Sequence, residues 1–359
     1  MYRYLVLLTI LLSLNSNSQT TENDSADMEL KSLKWDTTKY RKFDYVLIVG
    51  IFQQHRDFNS EFIQLINKDT ASLSRHSYYA ESQLITGVAL NYDKFSFSFG
   101  SRSQPQGSTG KGYTKTFNIG FNFGDNRWLL ENYYRRFKGF YNKNTPNFDS
   151  TFKTTGQYYL QPGLTTSLFM SRLMYFTNYK NFSFKSGFGS NYRQLKSAAT
   201  WILGGSFNVY DLKNDSSIFP LKARPLYNDY GNLQGFRSTN ISINVGAAAT
   251  IVLFKAWFVS GYFTLGPEQQ WRSYKLGGNN RNLSYVSWSG TGRGSLGINL
   301  KKFYLLASFT NDYNFYNSGK IISIKSESIT GNFTFGWRFH TGTPKFYTKF
   351  QQTKIYKLF

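Results

Sequence analysis

The feature that most constrains this chain is a two-residue alternation that repeats along long segments after residue 43. Between Phe95 and Phe99 every second residue is phenylalanine, with Ser96 and Ser98 between them. Residues 117–123 repeat the pattern, with Phe and Ile alternating against Asn and Gly. Because successive side chains of a β-strand point to opposite faces, each such segment predicts a strand with one apolar and one polar face.

The alternating segments are also long and numerous. Many reach the roughly 9–11 residues that a tilted strand needs to cross a bilayer, whereas strands of soluble proteins average about 5–6 residues. We therefore predict an all-β fold: a transmembrane antiparallel up-and-down β-barrel of about 12 strands, with 14 as the alternative. A secreted β-sandwich is the competing interpretation, and it explains less well the aromatic face of almost every strand. Further segments are residues 84–90, 164–176, 182–192, 200–210, 240–253, 257–265, 286–300, 303–313 and 329–339.

Composition agrees with a barrel that has a lipid-facing exterior and a polar lumen. Aromatic residues make up 19% of the 359 residues, with 34 Phe and 27 Tyr, yet the mean hydropathy is only −0.43. The chain contains no cysteine, which excludes disulfides, thiolate metal sites and cysteine nucleophiles.

The order of segments predicts four regions. Arg3 followed by an apolar run at residues 5–12 and small residues at 16–18 predicts a signal peptide over residues 1–18. Residues 19–42 form a polar periplasmic lead-in, and residues 43–340 the barrel. Residues 341–359 form a C-terminal extension, or else residues 347–359 are the closing strand. The alternation over residues 331–339 is typical of a final strand that barrel-assembly machinery recognises, which makes that machinery a predicted partner.

Short and long connections should alternate, since short turns of such barrels face the periplasm and long loops the outside. We predict short turns at residues 91–94, 124–126, 178–181, 255 and 301–302, and long loops around residues 104–112, 142–156, 214–235 and 272–282. With a strand at 182–192, these turns leave one crossing too few. Either residues 218–230 contain a further strand or one turn is misassigned.

The formal net charge of +22 is spread along the chain. For an exported barrel this favours outer-membrane lipid and lipopolysaccharide phosphates as partners, or small anionic solutes in the lumen, over nucleic acid. The predicted inward faces contain mostly basic residues. Glu131 and Arg135, four residues apart on one face, should each bond to a neighbouring strand and not to each other. The lumen-lining candidates are Arg102, Glu131, Arg135, Lys185, Arg193, Arg293, Arg338 and His340.

Catalytic and metal chemistry has little support in the sequence. His76 and Ser77 are adjacent, so on a strand they point to opposite faces and do not form a dyad. Asp211, Asp215 and Asp229 cluster near one loop without the regular spacing of a calcium site. We therefore expect no enzyme activity, no catalytic residue, no metal and no cofactor.

Several segments resemble a known family. They are residues 92–102, residues 128–141 with the ending Lys138-Gly139-Phe140-Tyr141, and residues 181–215 with Gln194-Leu195-Lys196-Ser197 and Asp215-Ser216-Ser217. Together they make the chain similar to domain-of-unknown-function family 4421, outer-membrane β-barrels of Bacteroidota. The resemblance implies architecture and location, and supplies no activity.

Three functions fit this prediction. The first is a pore or structural barrel with a basic polar lumen. The second is a scaffold or partner-binding component of a surface or secretion complex. A lipid-modifying enzyme is the least supported, because no triad is evident.

Overall fold

The computed structural model describes residues 35–44, 46–65, 74–81, 83–102, 110–317 and 322–358. The chain divides into two compact units, Met1–Asp36 and Thr37–Phe359, and the second contains every element discussed below. The predicted signal peptide and residues 19–34 of the lead-in lie outside the described residues. Within the described ranges, no helix is long and apolar enough to span a membrane.

Strands dominate the described part of the second unit, where five short α-helices and one 3₁₀ segment connect or flank them. The strands are β1 (Tyr40–Lys42), β2 (Val46–Gln64), β3 (Arg75–Tyr79), β4 (Gln83–Tyr92), β5 (Phe95–Arg102), β6 (Lys115–Gly124), β7 (Trp128–Asn142), β8 (Tyr159–Phe176), β9 (Tyr192–Gln194), β10 (Ala198–Lys213), β11 (Leu233–Leu253), β12 (Trp257–Leu276), β13 (Asn279–Asn299), β14 (Phe303–Asn317) and β15 (Ile322–His340). The helices are α1 (Thr145–Phe148), α2 (Phe152–Thr155), α3 (Phe184–Phe188), α4 (Lys345–Gln351) and α5 (Lys354–Leu358), and the 3₁₀ segment is Leu221–Asn232.

Twelve strands close into a ring, which confirms the predicted barrel. The ring order is β2, β4, β5, β6, β7, β8, β10, β11, β12, β13, β14 and β15, with every neighbour antiparallel. β15 closes the ring along the whole length of β2, from Ile322 opposite Gln64 to His340 opposite Val46. Beyond the last residue that β2 pairs with β4, β2 pairs with β3, and β3 also pairs with β7.

Side chains alternate around the ring as the sequence predicts. Ile243, Val286 and Trp201 face outward and are 72%, 74% and 69% exposed, whereas Asn208 and Ser242 face inward and are buried. An apolar exterior around a polar interior, on a sheet with no free edge, is the arrangement that lipid requires of a spanning sheet. The ring is therefore a transmembrane β-barrel.

Residues 182–192 are not a strand, and this corrects the predicted connections. After β8 the chain forms α3 and then β9, which pairs with β1 in a separate two-stranded sheet. Only two strands of the ring, β10 and β11, then lie between residues 178–181 and residue 255, so the crossings balance and residues 218–230 need no hidden strand. Alternating aromatic residues did not identify a strand here, because the aromatic side chains of α3 are also buried, inside the barrel.

The loop predicted around residues 272–282 is also wrong. β12 and β13 are joined directly by Gly277 and Gly278, whose φ angles are +65° and +142°. Glycine adopts these angles at little cost, so the two strands turn sharply and both continue to this point. The other described long connections are residues 143–158 and 214–232, and residues 103–109 of the loop predicted around 104–112 lie outside the described part of the chain.

Four short connections lie together at one end of the barrel, which is termed the periplasmic end by the usual rule for short turns; the turn at Gly277 and Gly278 lies at the opposite end. The four periplasmic connections are residues 93–94, 125–127, 254–256 and 300–302. The C-terminal helices lie at the periplasmic end too. The Tyr347 hydroxyl donates to the Asp93 carboxylate at 2.7 Å, and Lys94 donates to the Tyr356 carbonyl at 2.7 Å. The closing strand is thus β15 and not residues 347–359.

Candidate functional site

Ion pairs cross the barrel lumen. The Glu131 carboxylate accepts a hydrogen bond from Arg293 at 3.2 Å, and the Asp312 carboxylate accepts one from Arg135 at 3.3 Å. Glu131 and Arg135 lie on β7, whereas Arg293 is on β13 and Asp312 on β14. In the ring order, five strands separate β7 from β14 in either direction. These side chains therefore meet across the lumen and join opposite walls.

Arg172 on β8 completes this cluster. Its guanidinium lies 3.9 Å from the Glu131 carboxylate and donates to the Tyr262 hydroxyl at 3.1 Å and the Thr291 hydroxyl at 2.7 Å. Thr291 in turn donates to Asp312 at 3.4 Å. The residues Glu131, Arg135, Arg172, Arg293 and Asp312 are referred to below as the luminal ion cluster.

A folded segment fills the periplasmic end of the lumen. Residues 177–197 carry α3 and β9, and Phe182 and Phe184 pack in an apolar cluster with Phe176 and Tyr262. Strand side chains hold the segment in place: Ser295 donates to the Gly187 carbonyl at 2.6 Å. This segment is referred to below as the plug.

Lys185 on α3, outside the membrane-spanning strands, anchors the plug. Its ammonium donates to the carbonyls of Lys94, at 3.1 Å, and Gly124, in two periplasmic turns. Burial lowers the pKa of Lys185 from 10.5 to about 7; the charges of Asp125 and Asp93 oppose this shift only in part.

This low pKa predicts a pH dependence of stability. Between about pH 7 and pH 10.5 the folded barrel has released the Lys185 proton while the unfolded chain still holds it, so stability from this site should rise with pH. We expect the melting temperature of the wild type minus that of Lys185→Met to increase from pH 6.5 to pH 9.5. Thermal unfolding of both proteins at several pH values measures the difference. A constant difference would show that Lys185 titrates alike in both states.

Aromatic side chains close the opposite, loop end. The 3₁₀ segment folds inward, and Tyr227 stacks on Phe219 with ring centroids 3.9 Å apart. Phe58 stacks on Phe137 at 4.6 Å in the same buried cluster. Tyr227 also donates to the Ser74 carbonyl at 2.9 Å. This cluster is referred to below as the aromatic cap.

A cavity of about 240 Å³ lies beside the luminal ion cluster. Its wall includes Arg56, Arg135, Arg293 and Glu131, together with Ser190 of the plug. The remaining wall is formed largely by Asn, Ser, Thr and Gln side chains of β2, β4 to β7, β14 and β15.

The structure places the predicted lumen candidates at three different locations. Glu131, Arg135 and Arg293 belong to the luminal ion cluster. The prediction that Glu131 and Arg135 bond to neighbouring strands is wrong for their closest partners, which are across the ring. Arg172 lies opposite Glu131 on the neighbouring strand but is farther away, at 3.9 Å. Arg102 is buried elsewhere, near the end of β5, in an ion pair with Glu81 at 3.1 Å.

The other candidates lie at the periplasmic end. Arg338 on β15 donates to the Ser190 carbonyl of the plug at 2.7 Å. Lys185 and Arg193 are on α3 and β9, so neither belongs to a barrel strand as predicted. Arg193 donates to the Lys255 carbonyl at 2.8 Å. His340 is exposed at the last position of β15.

Sequence reasoning missed Arg56, Arg172 and Asp312. Arg56 shares the inward face of β2 with Phe52 and Phe58. Aromatic residues on the same face make its inward orientation difficult to predict from the sequence. Arg172 was missed for the same reason, because it lies between Met170 and Met174 on the inward face of β8.

His76 and Ser77 are adjacent on β3 and have separate partners. The Ser77 hydroxyl donates to Glu61 at 3.1 Å, while His76 Nδ1 lies 2.9 Å from the Asn142 side-chain amide. Within the described part of the chain, no group of three or more His, Cys, Asp or Glu residues is placed to hold a metal ion.

The family model for the domain of unknown function DUF4421 matches residues 13–339. The chain belongs to the DUF4421 family. No curated protein matches it. Location follows from the barrel itself: a closed antiparallel ring with an apolar exterior is the outer-membrane type of spanning protein, and this DUF4421 member is an outer-membrane protein.

Solved structures that are similar to the DUF4421 barrel are bacterial outer-membrane proteins. The outer membrane protease OmpT from Escherichia coli is 8% identical, with 83% of this chain and 98% of that chain covered and a TM-score of 0.40. The P. putida toluene transporter TodX is 7% identical, with 82% and 90% covered and a TM-score of 0.28. Ail, the attachment invasion locus protein of Yersinia pestis, is 10% identical, with 82% and 100% covered and a TM-score of 0.20. At these values, the likenesses carry no argument about activity.

Proposed function

We propose that this DUF4421 protein is a closed structural barrel of the outer membrane and not an open pore. The observation that supports this most directly is the pair of bridges, Glu131 to Arg293 and Arg135 to Asp312, that cross the lumen. The plug lies on the periplasmic side of these bridges and the aromatic cap on the loop side. A solute that crossed the barrel would have to displace the plug, the two bridges and the aromatic cap.

The two bridges form the middle layer and are held by electrostatic attraction. Separating buried ion pairs leaves unpaired charges, which costs about 3–5 kcal/mol for a single buried pair. Two linked bridges should therefore keep the lumen closed in the resting barrel. A polar, partly basic lumen does not make a channel when its charged side chains are bonded to one another across it.

Electrical recording tests the proposal. Purified full-length protein in planar bilayers should give no conductance steps over a range of voltages and salts, whereas a general porin in the same bilayers should. The matched variant is Arg293→Met. Steps from the wild type, with an anion selectivity that Arg293→Met reduces, would identify the lumen as an ion path and reject the closed barrel.

We propose outer-membrane lipid, including lipopolysaccharide, as the partner of the apolar exterior. The aromatic alternation of β15 supports recognition by barrel-assembly machinery. We assign no catalytic role to the protein. From the sequence pattern and resemblance, we further propose that residues 1–18 are a signal peptide and that the source is a member of Bacteroidota.

A further inference from the structure

Arg56 is a buried cation whose hydrogen-bond partners are neutral. Its side chain is on the inward face of β2, and the residue is 3% exposed. Its Nε donates to the Thr330 hydroxyl at 3.1 Å and its Nη2 to the side-chain Oε1 of Gln54 at 2.7 Å. Nη1 has no hydrogen-bond acceptor among the described residues. A buried guanidinium normally has a carboxylate or phosphate partner, because an unpaired buried charge is costly.

The cavity that Arg56 lines has an excess of positive charge. Arg56, Arg135 and Arg293 contribute to its wall, against the single carboxylate of Glu131. That carboxylate already accepts from Arg293 and lies beside Arg172. The Nε atoms of Arg135 and Arg293 also lack acceptors within the described residues. The wall therefore carries more cationic than anionic side chains, and each of its three arginines has a buried donor without an acceptor among the described residues.

The size and remaining chemistry of the cavity indicate the kind of molecule that would fit. Its volume of about 240 Å³ exceeds the roughly 150 Å³ of an engineered cavity that holds benzene. Asn91, Asn118, Asn122 and Asn332 also line it, and amide side chains both donate and accept hydrogen bonds. Hydroxyl groups of a ligand would find partners on this wall.

We propose that this cavity binds a small hydroxylated organic anion, with its carboxylate or phosphate group held by Arg56. A guanidinium presents its donors in a fork that matches both groups. The inference goes beyond the closed structural barrel and does not depend on it, since a ligand can bind in a barrel that does not conduct.

Calorimetric titration of the folded full-length protein tests the site. The probes are glucuronate for the carboxylate source, glucose 1-phosphate for the phosphate source, and glucose as the uncharged control of similar shape. Each is added to folded protein and, in parallel, is present during refolding. We expect saturable binding of at least one charged probe and none of glucose. Whichever charged probe binds more tightly identifies the source of the anionic group.

Variants connect the binding to Arg56. Arg56→Met should weaken binding at least about tenfold, as expected when a buried charge-assisted bond is lost. Arg56→Lys, which keeps the charge, should retain part of the affinity. Arg237→Met removes an exposed arginine of β11 and should leave binding unchanged. No binding of either charged probe, equal binding of glucose, or wild-type affinity in Arg56→Met would each overturn the proposal.

Stability separates a ligand site from a purely structural role. If Arg56 is an uncompensated charge kept for a ligand, Arg56→Met should melt at a higher temperature than the empty wild type. A charged probe should raise the melting temperature of the wild type and not that of the variant. A variant that melts lower than the empty wild type, with no probe shifting the wild type, would assign Arg56 to packing alone.

Discussion

Replacement of Glu131 by glutamine should lower the free energy of unfolding of the barrel by about 3–5 kcal/mol, the usual cost of removing one partner from a buried ion pair. Glu131 is buried and is the carboxylate nearest to two guanidinium groups, at 3.2 Å from Arg293 and 3.9 Å from Arg172. Glutamine keeps the shape but leaves both cations without that counter-charge. Urea unfolding of the lipid-reconstituted protein, followed by tryptophan fluorescence, measures the change.

A double variant that removes the charge from both partners of the Glu131–Arg293 bridge provides the control for this prediction. Glu131→Gln combined with Arg293→Gln should recover part of the lost stability, because the second change removes one of the stranded charges. Glu327→Gln, at a partly exposed position of β15, should change stability by less than about 0.5 kcal/mol. A loss below about 1 kcal/mol for Glu131→Gln alone would mean that water reaches the cluster, and the bridges would then not seal the lumen.

The exterior of the barrel could be predicted from the sequence because lipid imposes a local rule. Outward positions within the bilayer must be apolar, so the alternation in residues 95–99 or 241–253 indicates the strand directly. The ring order also follows, since short antiparallel connections make sequence neighbours spatial neighbours. The predicted strand at residues 182–192 failed because burial inside the lumen selects aromatics just as lipid does.

The interior could not be predicted to the same degree because its contacts join opposite walls. Whether Arg135 meets Asp312 depends on the number of strands, the closure of the ring and the register of each pair. A sequence shows which residues face inward but not which of them meet. The cavity beside Arg56 is still harder to predict from the sequence, since it exists only where the plug, β2 and the luminal ion cluster leave space.

Truncation of Tyr227 to alanine should detach the 3₁₀ segment from the loop end of the barrel. Tyr227 is completely buried, its ring stacks on Phe219 at 3.9 Å, and its hydroxyl donates to the Ser74 carbonyl at 2.9 Å. Removing a buried aromatic ring costs about 3–5 kcal/mol. The loss falls on a connection whose only regular structure is one 3₁₀ segment, so we expect local opening before global unfolding.

Limited proteolysis measures this opening, because Lys222, which is followed by Ala223, provides a trypsin site in the same segment. Cleavage there should be at least about tenfold faster in Tyr227→Ala, since each 1.4 kcal/mol lost from the closed form raises the open population tenfold. Tyr227→Phe keeps the ring and loses one hydrogen bond, worth about 1 kcal/mol, so its cleavage should stay within about tenfold of the wild type. Equal rates in all three proteins would mean that the segment is already open, and that the aromatic cap does not close the loop end.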